Sequence, residues 1–227
     1  MGLDAPQALT LAIDAGTTVS ALLQMPSDAR ALYVFAHGAG AGMTHAFMSA
    51  FADGLVQRGV ATLRYQFPSM EKGGRRPDPP AVAHAAVRAA VAAAADAAPG
   101  LPLIAGGKSF GGRMTSQAQA VTPLANVRGL VFVGFPLHPA GKPGTERANH
   151  LQQVALPMLF LQGTRDELAD LTLLRPVVDR LGARATLALF DEADHAFHVP
   201  ARTGRRDADV RNDMLDATAN WIERLLA

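Results

Sequence analysis

Short apolar runs, each followed by a stretch of helical character, constrain this chain more than any other feature. Ala31–Ala36, Leu101–Gly106, Val127–Val133 and Leu156–Leu161 lack the apolar–polar alternation of a half-wet strand, so each predicts a strand buried on both faces. Helical segments lie between them. Ala46–Gln57 puts Phe47, Phe51, Leu55 and Val56 on one side and stops at Gly59. Ala81–Ala98 is dominated by alanine, Phe110–Val121 and Glu167–Leu181 follow, and Asp207–Leu226 carries a stripe of Met214, Leu215, Trp221, Ile222 and Leu225. Val60–Phe67 and Ala185–Phe190 add strands, and Pro68–Pro80 reads as a loop. Leu9–Ile13 and Ser20–Met25 read as an antiparallel pair at one edge. Strands alternating with helices predict an α/β fold, a mostly parallel sheet with helices on both faces. The 227 residues suit a single domain spanning residues 1–227. Pro136–Ala155 is too short for more than a minimal cap domain.

The run Leu103–Met114 carries the chemistry. It reads Leu-Ile-Ala-Gly-Gly-Lys-Ser-Phe-Gly-Gly-Arg-Met, an apolar strand entering Gly107-Lys108-Ser109-Phe110-Gly111 and then a helix. This is G-x-S-x-G in a strand–turn–helix setting, the nucleophile elbow of α/β-hydrolases. The turn lifts the Ser109 hydroxyl above the sheet edge. Glycines two residues away on either side spare the neighbouring strand and helix a collision. Ser109 as a plain helix N-cap is the bland alternative. A phosphate-binding P-loop ending in Gly107-Lys108-Ser109 is excluded, because it needs glycine where Pro102 stands.

In such a fold the acid and the base follow the nucleophile in the order Ser, Asp or Glu, His. Asp166 closes Gly163-Thr164-Arg165-Asp166 just past one buried strand, and His195 closes Phe190–His195 just past the last. Strand carboxyl ends are where open α/β sheets build their sites. Ser109, Asp166 and His195 are therefore the candidate catalytic residues. Asp166 competes with Asp170, and it also reads as an N-cap for a helix starting at Glu167. His195 competes with His198. The oxyanion hole draws on the N–H of Phe110 and on a second N–H from His37-Gly38-Ala39-Gly40, with Ala39 first and Gly40 second. His37 reads as structural. Gly38-x-Gly40-x-Gly42 fails the dinucleotide pattern at Met43.

Composition removes several function classes. The chain has no cysteine, which excludes disulfides, thiolate metal sites and cysteine nucleophiles. A net charge of +1 gives no push toward nucleic acid or anionic membrane. Met1–Ala8 shows no leader pattern and no apolar run is long enough to span a bilayer, so a cytoplasmic location is expected. Lys72, Arg75 and Arg76 follow a strand carboxyl end. Arg75 and Arg76 are candidate contacts for an anionic substrate group, against the reading of a solvated basic loop.

With these motifs in place, the chain resembles the small serine α/β-hydrolases of the dienelactone-hydrolase-like group. The likeness rests on Phe35–Gly40, Gly106–Arg113, Gly163–Asp166 and Asp194-His195-Ala196-Phe197. The Ser-Phe-Gly-Gly-Arg elbow is similar to that of an uncharacterised bacterial branch, itself related to a subunit of an animal chromatin-modifying complex. The chain departs from dienelactone hydrolases proper, whose nucleophile is a cysteine. The resemblance implies an α/β-hydrolase fold and the triad Ser109, Asp166 and His195. The function expected is hydrolysis of small esters through an acyl-enzyme, with no cofactor, no metal, no nucleic-acid partner and a small-molecule ester as substrate. Thioester or peptide cleavage on the same site, and a non-enzymatic interaction module that keeps the fold, are the alternatives.

Overall fold

The structure, a computed structural model, describes residues 5–227. The first half of Met1–Ala8, read above as lacking a leader pattern, lies outside the described residues. The strands are β1 (Gln7–Ala12), β2 (Thr18–Gln24), β3 (Ala31–Ala36), β4 (Val60–Tyr65), β5 (Leu103–Lys108), β6 (Val127–Val133), β7 (Met158–Gly163) and β8 (Ala185–Phe190). The helices are α1 (Ala46–Val56), α2 (Pro68–Glu71), α3 (Pro80–Ala97), α4 (Phe110–Val121), α5 (Leu171–Leu181) and α6 (Asp207–Leu226). All the strands join one sheet in the order β1-β2-β4-β3-β5-β6-β7-β8. β1 pairs antiparallel with β2 and β2 with β4; every later pair is parallel.

Alternate residues of the central strands feed two separate cores. Leu32, Val34, Leu63, Ala105, Phe132 and Phe160 face α3, α4 and α5. Tyr33, Phe35, Ile104, Val131, Leu159 and Leu161 face α1 and α6. This is why these strands carry continuous apolar runs, since each residue is inside whichever way it points. The alanines of α3 (Ala83, Ala86, Ala90 and Ala94) are fully buried and let that helix lie close on the sheet. Each fully buried Leu or Phe contributes about 1.5–3 kcal/mol, so the two cores far outweigh any strain stored in a single turn.

The element boundaries hold some corrections. Strand β5 starts two residues later than expected and runs through Gly107 and Lys108, because these pair with Ala36 on β3 and with Phe132 and Val133 on β6. β7 begins only after Pro157, which has no N–H to donate to a ladder. The expected loop from Pro68 holds a helical turn, α2, with the proline at its first position. The largest shift is α5. It begins at Leu171 rather than Glu167, and Asp170 caps it by accepting from the Thr172 N–H at 2.8 Å. Between β6 and β7, a 3₁₀ segment from Glu146 to Gln153 packs against α4 and α5, and no cap domain is present among the described residues.

Candidate active site

The three candidate catalytic side chains converge at the carboxyl ends of β5, β7 and β8. Ser109 lies between β5 and α4 with φ 49° and ψ −114°, a region that a side chain with a Cβ rarely occupies. Neighbouring packing forces this geometry. A Cβ on Gly107 would run into the Ala36 carbonyl of β3, and one on Gly111 into the carbonyls of Ala36 and His37. The Ser109 N–H is held by the Val133 carbonyl at 3.0 Å. Ser109 makes no side-chain cap to α4, so the bland N-cap reading fails.

The Ser109 hydroxyl lies 2.8 Å from His195 Nε2, and His195 Nδ1 lies 2.7 Å from Asp166 Oδ2. Asp166 has a fully enclosed carboxylate, while the His195 side chain is one-quarter exposed. Both carboxylate oxygens are occupied. Oδ1 accepts from the Leu168 N–H at 2.8 Å, and Oδ2 accepts from Gln162 Nε2 as well as from His195. With Asp166 Oδ2 accepting, the imidazole proton sits on Nδ1, which leaves Nε2 to accept from Ser109. Asp166 therefore does not cap α5; that task falls to Asp170. His198 is exposed and turned away toward Asp207, 2.9 Å off, and this carboxylate raises its pKa above the ordinary imidazole value.

Of the oxyanion candidates, Ala39 lines the same cavity as Ser109 and His195. Phe110 opens α4, where the first N–H groups lack intrahelical acceptors. Among the described residues the N–H groups of Phe110, Ala39 and Gly40 meet no protein acceptor. Buried His37 organises the opposing loop. Its Nε2 accepts from the Phe67 N–H at 3.0 Å, so Nδ1 carries the proton and donates to the Gly38 carbonyl at 2.8 Å. In a trans peptide the C=O and the following N–H point opposite ways, so turning the Gly38 carbonyl to His37 turns the Ala39 N–H away from it. Burial pushes the His37 pKa down, which keeps the ring neutral and this pattern intact.

A cavity of about 360 Å³ opens over these groups, walled by Ala39, Phe47, Met48, Ser109, Leu168 and His195. Arg75 and Arg76 are exposed and line a separate, small crevice together with the oxyanion candidates Ala39, Gly40 and Phe110. They do not line the cavity. A larger groove of about 1110 Å³, between Arg30, Leu103, Arg128 and Leu225, lies at the amino ends of the strands and touches none of the candidate catalytic residues. Two residues near the chemistry were not singled out from the sequence. Gln162 is fully buried on β7 and bridges the Phe135 N–H to Asp166. Lys108 reaches the His195 main chain. A glutamine ending an apolar strand was the available signal for the first; the second had none.

Comparison with known proteins follows the same outline. Residues 29–223 match the family described as alpha/beta hydrolase domain. Among solved structures, the chain is similar to a dienelactone hydrolase from Anabaena variabilis, with 20% identity and a TM-score of 0.75 over 97% of this chain and 99% of that one. It is also similar to an α/β serine hydrolase without lid from Xanthomonas campestris, with 21% identity and a TM-score of 0.73 over 97% and 98%. An esterase from Pyrococcus furiosus superposes with 13% identity and a TM-score of 0.76 over 98% and 91%. At these identities the likeness is one of fold.

Proposed function

The chain belongs to the alpha/beta hydrolase domain family, and on that premise we propose that it is a serine hydrolase cleaving small esters through an acyl-enzyme on Ser109. The observation that carries this reading is the unbroken relay from Ser109 through His195 to an enclosed Asp166 beside unpaired backbone N–H groups. His195 takes the Ser109 proton as the hydroxyl attacks the ester carbonyl. The N–H groups of Phe110 and Ala39 receive the developing oxyanion. Asp166 holds the imidazole tautomer and stabilises the imidazolium. His195 then returns the proton to the departing alcohol, and water releases the acid by the same steps in reverse. Small acyl groups suit a cavity of about 360 Å³ with no cap domain over it among the described residues.

A panel of chromogenic esters of increasing chain length, with a fluorophosphonate label mapped by peptide sequencing, tests the reading. Turnover of short esters and an adduct on Ser109 are expected. Neither turnover nor label would leave the interaction-module alternative standing.

Asp166→Asn is expected to fold normally and to lower kcat about 10⁴-fold, because the amide selects the wrong imidazole tautomer. Asp170→Asn serves as the control. Its side-chain oxygen can still accept from the Thr172 N–H, so the α5 cap is kept and both kcat and the melting temperature stay near wild type. A kcat loss in Asp170→Asn instead would move the acid to that position.

Arg75 and Arg76 are proposed to favour substrates with a remote carboxylate. Because both are exposed, the gain is small. Arg75→Ala/Arg76→Ala should lower kcat/KM for a carboxylate-bearing ester by about two- to five-fold relative to its neutral isostere. An unchanged ratio rejects the anion contact without touching the hydrolase reading.

A further inference from the structure

The reaction drawn above gives Lys108 no task, although it directly precedes Ser109 as the last residue of β5. Its ammonium donates to the His195 main-chain carbonyl at 2.6 Å. Phe47 of α1 and Phe197 of the loop after β8 face it, their ring centres 6.0 and 5.4 Å from Nζ. Gly134, just past β6, completes the enclosure. A Cβ there would stand 3.2 Å from Nζ and 3.4 Å from His195 Cε1, so the missing side chain leaves room for both. The charged and titratable groups turned toward the ammonium are Asp166 past β7 and Asp194 and His195 past β8, and neither carboxylate bonds it directly. Burial pushes the Lys108 amine down from 10.5 to about 8, and the two aspartates oppose the shift.

We infer that Lys108 is a positioning residue for the acyl transfer proposed above. Its charged ammonium ties the main chain of His195 to the strand that ends in Ser109, and so fixes imidazole against hydroxyl. This rests on the reading of Ser109 and His195 as nucleophile and base. The physical case is one of leverage. His195 sits on a loop after the edge strand β8, 86 positions from Ser109, and the imidazole must keep its reach to the hydroxyl while charge develops. One side chain rooted next to the nucleophile spans that gap. A hydrogen bond from an ionised donor is about twice as strong as a neutral one, and the attraction to the aromatic faces exists only for the cation. Deprotonation therefore loosens the tether while leaving the fold in place.

The test uses kcat, KM and the pH profile of kcat on a short ester. Lys108→Met keeps an unbranched stem as far as Cε and removes the ammonium. It should lower kcat about 10- to 100-fold with little change in KM, the pattern of an alignment felt in the transition state. Wild-type kcat should fall above a midpoint near pH 8, and the Met variant should lack that descending limb. Lys108→Cys treated with 2-bromoethylamine rebuilds an amine of the same length at the one thiol in the chain. It should recover most of kcat and restore a descending limb, moved to lower pH by the electron-withdrawing sulfur. This variant carries the test if the Met protein does not fold. Wild-type kcat in Lys108→Met, or a descending limb that survives in it, overturns the proposal. Absence of ester turnover in the wild type would instead overturn the acyl-transfer reading on which it rests.

Discussion

Ser109→Ala should lower kcat about 10⁴- to 10⁶-fold while KM for a short ester changes little. The oxygen removed is the one 2.8 Å from His195 Nε2, the only hydroxyl bonded to that nitrogen among the described residues. The turnover that survives is what the N–H groups of Phe110 and Ala39 and simple substrate binding give to attack by water. Fluorophosphonate labelling should vanish with it. Stability separates this loss from misfolding. The alanine protein inherits φ 49° at position 109 and should melt close to wild type. Ser109→Gly relieves the strain and should be more stable by about 1 kcal/mol, yet equally inactive. An adduct on any other serine, or an active alanine variant, would reject the nucleophile.

His195→Ala should be nearly as damaging as loss of the serine, about 10⁶-fold in kcat, because nucleophile and base act as a unit. The double variant Ser109→Ala/His195→Ala should be no slower than either single one. His198→Ala is the comparison that gives the result meaning. His198 lies three residues along the same loop but pairs with Asp207 at the protein surface. Its removal should leave kcat within about two-fold of wild type. A large kcat loss on removal of His198, with His195→Ala active, would reassign the base.

What the sequence disclosed and what it hid divide along a physical line. Strands β3 and β6 were legible to the residue, since a strand buried on both faces leaves its mark in every position. The elbow was legible because steric exclusion dictates where glycines must stand. The end of β5 was not: Gly107 and Lys108 carry no strand propensity and are held in the sheet by main-chain pairing with β3 and β6. The start of α5 was misread for a similar reason. Glu167–Asp170 has helical character, but the chain there turns around Asp166, whose carboxylate and carbonyl hold the Leu168 and Ala169 N–H groups. Gln162 and Lys108 owe their importance to groups from other strands, which local pattern does not encode. Arg75 and Arg76 were placed on the correct end of the sheet but outside the cavity, because the direction a loop takes after its strand depends on what it packs against.

The order of the sheet also sets when the serine becomes dangerous to its surroundings. As the chain is synthesised, the loop after β3 and the elbow after β5 are made before β8, which among the described residues pairs with β7 alone. Until β8 docks, His195 has no fixed position and Ser109 is an alcohol of ordinary reactivity. On the mechanism proposed above, hydrolytic power would therefore switch on late and all at once, and a growing or half-folded chain would carry no activated nucleophile to acylate itself or its neighbours.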